Sequence, residues 1–388
     1  MIEGRAVVSR KGEARIQRGH PWIFRSDVVR HDQLKPGALV EVIGHRDRTL
    51  GFAFFSSRSE IRLRMVSREA KLAETYLRDR LREALRWRGT VAAGADACRL
   101  VHGEGDGLPS LVVDRYGDHL VVQTLSQGTD RRKAEIADAL CEELKPKGIL
   151  ARNDPKVRSL EGLEPEVALL QGAVPETVEI REGEIHLAVD LWRGQKTGLF
   201  LDQRENHLMA RTYARGRVLD GFTYDGGFAL QVAGQASSVL AVDLSAEALG
   251  RVRANAARNG FSNVETADRN VFDLLRERQD AGERFDTVIL DPPAFAKSKS
   301  AVERAVRGYK DINLRALKLL VPGGCLITCS CSYHVHEADF EEILAQAAAD
   351  AGVNVTVVEK RRQARDHPVV LGVPETYYLK CFVLRRLA

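Results

Sequence analysis

The stretch VLDGFTYDGGFAL, residues 218 to 230, decides how the C-terminal half of this chain folds. It begins as a short apolar run, continues through a loop that contains three glycines, and ends in residues that favour a helix. Glycine lets a ligand approach the backbone closely, so the stretch predicts a strand, a ligand-binding loop and a helix. The loop lacks the spacing GxGxxG, which argues against a dinucleotide-binding domain.

Three more short apolar runs follow along the chain: SVLAVDLS, FDTVILDPP and GGCLITCSC. Helical segments separate the first three of the four runs. Continuous apolar runs of this length are typical of a buried parallel sheet whose strands are joined by crossover helices. The chain from about residue 186 onward is therefore predicted to be an α/β domain.

Polar side chains stand where these predicted strands end. Asp243 closes the second run, about 20 residues after the glycine loop, which suits an acid that binds a ribose diol. The alternative is that Asp243 caps the helix that starts in DLSAEAL. Asp291 closes a later run, and the two prolines after it make a rigid exit at the carboxyl edge of the sheet, where open α/β folds bind ligands.

The length and composition predict several domains in a water-soluble globular protein of the cytoplasm. The chain has 388 residues, which is too long for one ordinary core. Residues 1–70 have the pattern of short strands in a small β-barrel, residues 71–185 mix helices and strands, and residues 186–388 form the α/β domain. No apolar run approaches the ~18 residues of a membrane-spanning helix, and six scattered cysteines do not make a disulfide framework.

Positive charge is concentrated at the N-terminus. Residues 1–90 carry 20 Lys and Arg against 11 Asp and Glu, whereas the rest of the chain carries 38 against 43. A basic section beside a nearly neutral remainder favours a polyanionic partner, most simply nucleic acid. The alternative is an arginine-rich surface that only contacts solvent.

Eight stretches between residues 18 and 380 together resemble one known family: RGHPWIF, EGDGLPSLVVDRYGD, GQKTGLFLDQREN, DPPAFAKSK, RGYKDINLRAL, TCSCS, QARDHPV and PETYYLK. The chain resembles the class I S-adenosylmethionine-dependent methyltransferases that modify cytosine C5 in large-subunit 23S rRNA and carry an N-terminal PUA domain. The resemblance implies a PUA β-barrel, a central α+β domain and a Rossmann-like catalytic domain. It also implies S-adenosylmethionine as cofactor and ribosomal RNA as partner, with no metal and no membrane, and it leaves a homodimer open.

The resemblance also assigns roles to residues. The expected cofactor-binding positions are Gln203, Asp220, Phe222, Tyr224, Gly226, Gly227, Asp243, Leu244, Ser245, Asn270, Val271, Asp291 and Pro292. Lys297 and Arg307 are expected to contact RNA phosphates. The chain departs from the family at two loop positions, where Gly221 replaces a large apolar residue and Asp225 replaces Ser or Thr. A second carboxylate beside the cofactor's own is unfavourable unless it faces an amino group or solvent.

The two cysteines of TCSCS fit the chemistry that cytosine C5 needs. C5 is a poor nucleophile, and a thiolate that adds at C6 turns the ring into an enamine that can be methylated. Cys331 lies nearer the end of the predicted strand than Cys329 and corresponds to the family's nucleophile, so we expect it to attack and Cys329 to be structural. Asp291 is the expected acid–base partner at cytosine N3. A zinc half-site is disfavoured because no second Cys/His pair has zinc spacing.

Three rival functions remain at this stage. A methyltransferase acting on a base nitrogen, such as guanine N7 or an exocyclic amine, often has an aromatic residue directly after Asp-Pro-Pro to stack on a flipped base. Here Ala294 occupies that position and Phe295 follows it. The second rival is a non-catalytic RNA-binding assembly factor, and the third is a dehydrogenase, which the missing GxGxxG disfavours.

Overall fold

The structure, a computed structural model, describes residues 1–296 and 298–388 and divides them into two compact units. The first, here the N-terminal unit, comprises Met1–Ile180, Val189–Leu201 and Arg365–Thr376. The second, the C-terminal unit, comprises Arg181–Ala188, Asp202–Ala364 and Tyr377–Ala388. The three-domain division at residues 70 and 185 stays a prediction. Within the described residues, no helix has both the length and the apolar character that a membrane crossing requires.

The N-terminal unit begins with a six-stranded sheet in the order β2-β6-β5-β4-β1-β3. Its elements are β1 (Arg5–Val8), α1 (Arg10–Gln17), β2 (Trp22–Phe24), β3 (Val28–His31), β4 (Leu39–Ile43), β5 (Thr49–Phe55) and β6 (Ile61–Ser67). Alternating apolar residues of these strands are turned inward, and Ile23, Val40, Val42 and Leu63 are fully buried in one cluster. Side-chain alternation thus supplies this sheet with its own core.

A second sheet of five strands, in the order β11-β10-β9-β8-β7, follows in the same unit. Its elements are α2 (Tyr76–Val91), β7 (Ala97–His102), β8 (Leu111–Tyr116), β9 (His119–Thr124), α3 (Gln127–Asp130), α4 (Lys133–Leu144), β10 (Gly148–Asn153) and β11 (Glu166–Gly172). Helices α2 and α4 cover it through Leu77, Leu81, Ile136 and Leu140, which share a cluster with the strands. The apolar stripes of two helices therefore close this second core.

A hairpin of two strands contributes residues to both units, and the C-terminal unit contains a sheet of seven strands in the order β16-β15-β14-β17-β18-β20-β19. The elements of this part of the chain are β12 (Val178–Glu182), β13 (Ile185–Val189), α5 (Arg204–Tyr213), β14 (Gly216–Gly221), α6 (Gly227–Ala233), β15 (Ala236–Asp243), α7 (Ala246–Arg258), β16 (Val264–Asp268), α8 (Val271–Asp280), β17 (Phe285–Leu290), α9 (Val302–Leu319), β18 (Leu320–Ser330), α10 (Glu337–Ala351), β19 (Val355–Arg362) and β20 (Lys380–Arg386). Helices α8, α9 and α10 share one apolar cluster with the sheet, and α5, α6 and α7 share another. The predicted α/β class is confirmed.

Strand register brings the predicted functional positions to one edge of this sheet. The first five strands in the sheet order run parallel, and Gly221 pairs with Val242 on one side and with Leu290 on the other. Leu290 in turn pairs with Thr328 of β18. The loops that leave β14, β15, β17 and β18 therefore all begin at the same edge, where ligands bind in open α/β folds.

In the N-terminal unit, a buried polar network around Asp114 holds the segment GQKTGLF, residues 194 to 200. Arg99 makes two hydrogen bonds to the Asp114 carboxylate, at 2.8 and 2.9 Å. Thr197 Oγ1 donates to the same carboxylate at 2.6 Å, and the hydroxyl of Tyr116 lies 3.0 Å from Thr197 Oγ1. The backbone N–H of Leu199 donates to the Tyr116 hydroxyl at 3.0 Å. The segment is thus fixed by a fully buried carboxylate.

Replacing Asp114 should destabilise the protein strongly, because the largely buried guanidinium of Arg99 would lose both hydrogen bonds to the carboxylate. We expect Asp114→Ala to lower the free energy of unfolding by about 3–5 kcal/mol. Urea denaturation measures this. The control is Asp118→Ala, which removes an exposed carboxylate paired with Lys147 and should leave unfolding unchanged. Equal losses in both variants would contradict the assigned role of the network.

Candidate active site

The loop after β14 has an unusual backbone. Phe222 and Tyr224 have φ angles of 66° and 48°, and Gly226 has φ 82°. Residues other than glycine rarely adopt this left-handed conformation, which costs them roughly 1–2 kcal/mol each. Strain of this kind is concentrated at functional sites. The predicted cofactor loop therefore has two residues other than glycine in the left-handed conformation.

One carboxylate oxygen of Asp220 joins the two ends of this loop, and the other accepts no hydrogen bond from the described residues. Its Oδ2 accepts hydrogen bonds from Thr223 Oγ1 at 2.6 Å and from the backbone N–H of Ala229 at 3.0 Å. Its Oδ1 is buried without a hydrogen-bond partner among the described residues. Burial raises the pKa of Asp220 to about 7, opposed by the Thr223 bond, and Asp291 raises it further. A buried acceptor that lacks a donor fits the amino group at the amino-acid end of S-adenosylmethionine.

Beneath the loop, His207 fixes where α6 begins. A Cβ atom at Gly227 would lie 2.3 Å from Cε1 of His207, so only glycine fits this position. His207 Nδ1 lies 2.9 Å from Glu182 Oε1, and the imidazole packs edge-on against Phe228 with ring centroids 4.6 Å apart. Burial acts to lower the pKa of His207, but Glu182 and, after it, Asp291 raise it above the ordinary value. The helix start is held by a buried pair on α5 and β12.

Asp225 is paired with an arginine, a contact that the sequence did not suggest. Its Oδ1 accepts a hydrogen bond from Arg251 Nε at 2.6 Å, and Arg251 also binds Glu247 at 2.7 Å. Burial raises the pKa of Asp225 to about 6, although Arg251 acts to lower it. The extra carboxylate is therefore neutralised by an arginine of α7.

The acid at the end of β15 connects two loops. Asp243 Oδ2 accepts from the backbone N–H of Tyr224 at 2.9 Å, and Oδ1 accepts from the N–H of Ser245 at 2.9 Å. Ser245, not Asp243, caps α7 through a 3.2 Å bond from Ala248 N. The helix-cap alternative for Asp243 is therefore wrong. Its predicted ribose contact stays a prediction.

The remaining cofactor positions lie at the same edge of the sheet. Asn270 caps α8 by accepting from Phe272 N at 2.9 Å, and Val271 is the first residue of that helix. Leu244 follows the end of β15 and leaves 68% of its surface exposed. These contacts account for the local fold, and the cofactor roles of Asn270, Val271 and Leu244 stay predictions.

Asp291 is oriented by a chain of hydrogen bonds that the sequence did not suggest. Gln203 Nε2 donates to Asp291 Oδ1 at 2.9 Å, and only 2% of Gln203 is exposed. Asn206 Nδ2 donates to Gln203 Oε1 at 2.6 Å, and Arg361 Nε donates to Asn206 Oδ1 at 3.0 Å. One N–H of the Gln203 amide therefore holds Asp291, and the predicted cofactor contact of Gln203 stays a prediction.

The two cysteines of TCSCS occupy different environments. Cys329 is fully buried and lies opposite Cys381 in the β18–β20 ladder, where burial raises the pKa of its thiol well above the ordinary value. Cys331 follows the last residue of β18 and is only partly buried. Its Sγ lies 3.7 Å from the carbonyl oxygen of Pro292, at the exit of β17. The more accessible thiol thus lies beside the Asp291-Pro292 loop.

Two residues near Cys331 escaped prediction. Ser332 Oγ accepts from Ala296 N at 3.1 Å and lies 2.9 Å from the Tyr309 hydroxyl, which ties the β17 and β18 exits together. Lys380, the first residue of β20, is 1% exposed. A signal for Lys380 was present, since it alternates with Phe382 and Leu384 on one face of a strand.

The predicted RNA contacts are only partly described by the structure. Arg307 is exposed on α9. Lys297 lies outside the described residues. In the described part of the chain, no group of three or more His, Cys, Asp or Glu side chains is arranged to hold a metal ion.

Comparisons with known proteins agree with this arrangement. The model of the S-adenosylmethionine-dependent methyltransferase family matches residues 156–383, and that of the PUA-like domain matches residues 7–68. Ribosomal RNA large subunit methyltransferase I of Klebsiella pneumoniae (strain 342) is 41% identical over 395 residues, which cover 98% of each chain. The protein of the same name from Escherichia coli O157:H7 is 40% identical over 392 residues, covering 98% of this chain and 99% of the other.

Solved structures share the fold at lower identity. SMU.776, described as a methyltransferase and solved in complex with SAH, has a TM-score of 0.84 and 23% identity, covering 99% of this chain and 100% of its own. A methyltransferase from Streptococcus mutans has a TM-score of 0.81 at the same identity and coverage. The predicted fold class and the predicted cofactor are confirmed.

A methyl group at Gly227 tests the loop geometry. Gly227→Ala should weaken binding of S-adenosylhomocysteine about tenfold or more, equivalent to ~1.4 kcal/mol, because the new Cβ displaces His207 or the helix start. Isothermal titration calorimetry measures the affinity. Gly234→Ala, at the other end of α6, is the control, because its Cβ would meet nothing closer than 3.7 Å. Equal affinities in the two variants would show that the loop does not depend on this contact.

Proposed function

Because this chain belongs to the S-adenosylmethionine-dependent methyltransferase family, we propose that it methylates C5 of a cytosine in large-subunit 23S ribosomal RNA. The full-length relatives are named for the large ribosomal subunit. The match to a PUA-like domain and the positive charge of residues 1–90 support an RNA substrate. We further propose that this domain anchors the RNA and that Arg307 contacts its phosphates.

The observation that carries the proposal is the position of Cys331. A partly accessible thiol lies at the carboxyl edge of the sheet, beside the loop that holds Asp291. Carbon methylation of a pyrimidine needs a nucleophile at this place, whereas methylation of a base nitrogen does not. Cys329, fully buried opposite Cys381, suits a structural role.

The residues of the chain make C5 reactive. When bound, S-adenosylmethionine supplies an electrophilic methyl group. Cys331 bonds to C6 of the cytosine, the C5–C6 double bond opens, and C5 becomes the nucleophilic carbon of an enamine. After C5 has gained the methyl group, it loses its proton to a base, the double bond re-forms, and Cys331 leaves as a thiolate.

Asp291 assists the attack of Cys331 on C6 by acting on N3 of the same ring. Its carboxyl group holds or protonates N3 of the cytosine, where negative charge develops when C6 is attacked. The hydrogen bond from Gln203 fixes one carboxylate oxygen, and Asn206 in turn fixes Gln203. Such support keeps a catalytic group in place at the moment of reaction.

The main rival, methylation of a base nitrogen, is disfavoured by Phe295. In that class the aromatic residue after Asp-Pro-Pro stacks on the target base. Here Phe295 packs against Tyr309 at 4.6 Å and against Phe272 at 5.8 Å between ring centroids. The ring contributes to the packing of α8 and α9, and it comes one residue too late for the stacking position.

Paired serine variants test the assignment of the nucleophile. Cys331→Ser should abolish formation of 5-methylcytidine in unmodified large-subunit RNA and leave S-adenosylhomocysteine binding unchanged, because the thiol acts on the base. Cys329→Ser should retain most of the activity but lose about 1–3 kcal/mol of stability, since a hydroxyl replaces a buried thiol. Mass spectrometry of the nucleosides identifies the product. Normal activity of Cys331→Ser, or a methyl group on nitrogen, would refute the proposal.

A further inference from the structure

Lys380 is a buried lysine at the active-site edge of the sheet. It begins β20 and pairs with Ser330, the last residue of β18. Its Nζ donates hydrogen bonds to the carbonyl oxygens of Ser332 at 2.8 Å and of Tyr378 at 3.0 Å. The side chain is 1% exposed, so the ammonium lies inside the protein next to the residues that follow β18.

The ammonium of Lys380 binds neutral groups. Among the described residues, no ion pair joins Lys380 to an Asp or Glu, and its Nζ hydrogen bonds go to the carbonyl groups of Ser332 and Tyr378. A buried charge that is not paired costs several kcal/mol. Phe382 and Leu384, on the same face of β20, show that an apolar residue suits this face. Packing alone therefore does not explain why a lysine stands here.

Three groups that can carry negative charge raise the pKa of Lys380: Cys331 at the exit of β18, and Glu337 and Asp339 at the start of α10. Burial lowers the pKa of Lys380 to about 8, and Cys331 gives the largest effect in the opposite direction. The carboxylates have other partners. Glu337 accepts from the hydroxyl of Tyr377, and Asp339 accepts from the backbone N–H of the N-cap of α10 at 2.9 Å. Cys331, by contrast, lies between two residues that contact Lys380: Ser330, its partner in the ladder, and Ser332, whose carbonyl oxygen accepts from Nζ.

We propose that Lys380 is a positioning residue whose ammonium stabilises the thiolate of Cys331 and holds the chain that follows it. The thiol proton leaves to solvent, and the ammonium keeps its own proton. Through its bond to the Ser332 carbonyl, the same group fixes the backbone next to Cys331. This role rests on the proposed function, in which Cys331 attacks the base. Its test measures the reactivity of the Cys331 thiol and not methylation.

The pH dependence of thiol alkylation tests the coupling in the full-length protein. Iodoacetamide labels thiolates, and peptide mass spectrometry reports the labelling rate of Cys331 separately from that of the other cysteines. Lys380→Met removes the charge and keeps the length of the side chain, whereas Lys380→Arg keeps the charge. Cys141, half-buried on α4, is the internal reference.

At pH 7 we expect Lys380→Met to slow the labelling of Cys331 roughly tenfold or more, the change that one unit in the titration of the thiol produces. The difference should vanish above about pH 10, where thiols ionise without help. Lys380→Arg should restore most of the rate, and Cys141 should be labelled equally in all variants.

Unchanged labelling of Cys331 in a folded Lys380→Met variant would overturn the proposal and leave Lys380 a structural residue. If that variant does not fold, the wild-type profile decides: half-maximal labelling of Cys331 at or above about pH 8.5, the ordinary value for a thiol, would overturn it, and a lower midpoint would support it. Shifted labelling without 5-methylcytidine formation would instead count against the proposed reaction and not against the coupling.

Discussion

The parallel register of β14, β15, β17 and β18 is the constraint on which the site depends. Because Gly221, Val242, Leu290 and Thr328 lie in line across the sheet, the loops that follow them start from one edge. Strand β20 runs antiparallel to β18, so its first residue, Lys380, arrives at the edge where β18 ends. Residues far apart in the sequence therefore meet without a long loop to carry them. Burial of both sheet faces by helices keeps the strands in this register.

The charged side chains around the loop after β14 are each stabilised by a different partner. Asp225 is paired with Arg251, and His207 with Glu182. One oxygen of Asp220 accepts a hydrogen bond from Thr223 in the loop, and the other is buried and fits a cofactor amino group. A low-dielectric surrounding strengthens each of these interactions and makes each uncompensated charge expensive. The site is therefore organised for the binding of charged groups before any ligand arrives.

The sequence predicted the features that are local. The positions of Asp243 and Asp291 at strand exits follow from short apolar runs with polar ends, and the accessible position of Cys331 follows from its place after the strand. Contacts between distant segments could not be predicted. Gln203 reaches Asp291 only because α5 packs on the sheet, and Asp225 finds Arg251 on a helix 26 residues later. The alternation of Lys380 with apolar residues was visible in the sequence. That Lys380 lies next to the end of β18 could not be predicted, because it depends on the antiparallel pairing of β20 with β18.

The central claim, that Cys331 forms a bond to cytosine C6, is tested most directly by trapping that bond. RNA that carries 5-fluorocytidine at the target has no C5 proton to lose, so the methylated adduct cannot release the enzyme. Incubation with S-adenosylmethionine followed by nuclease and protease digestion should yield a nucleotide attached to the peptide that contains both cysteines. Fragmentation should place the attachment on Cys331. A label on Cys329, or no adduct while methyl groups appear on a base nitrogen, would contradict the account.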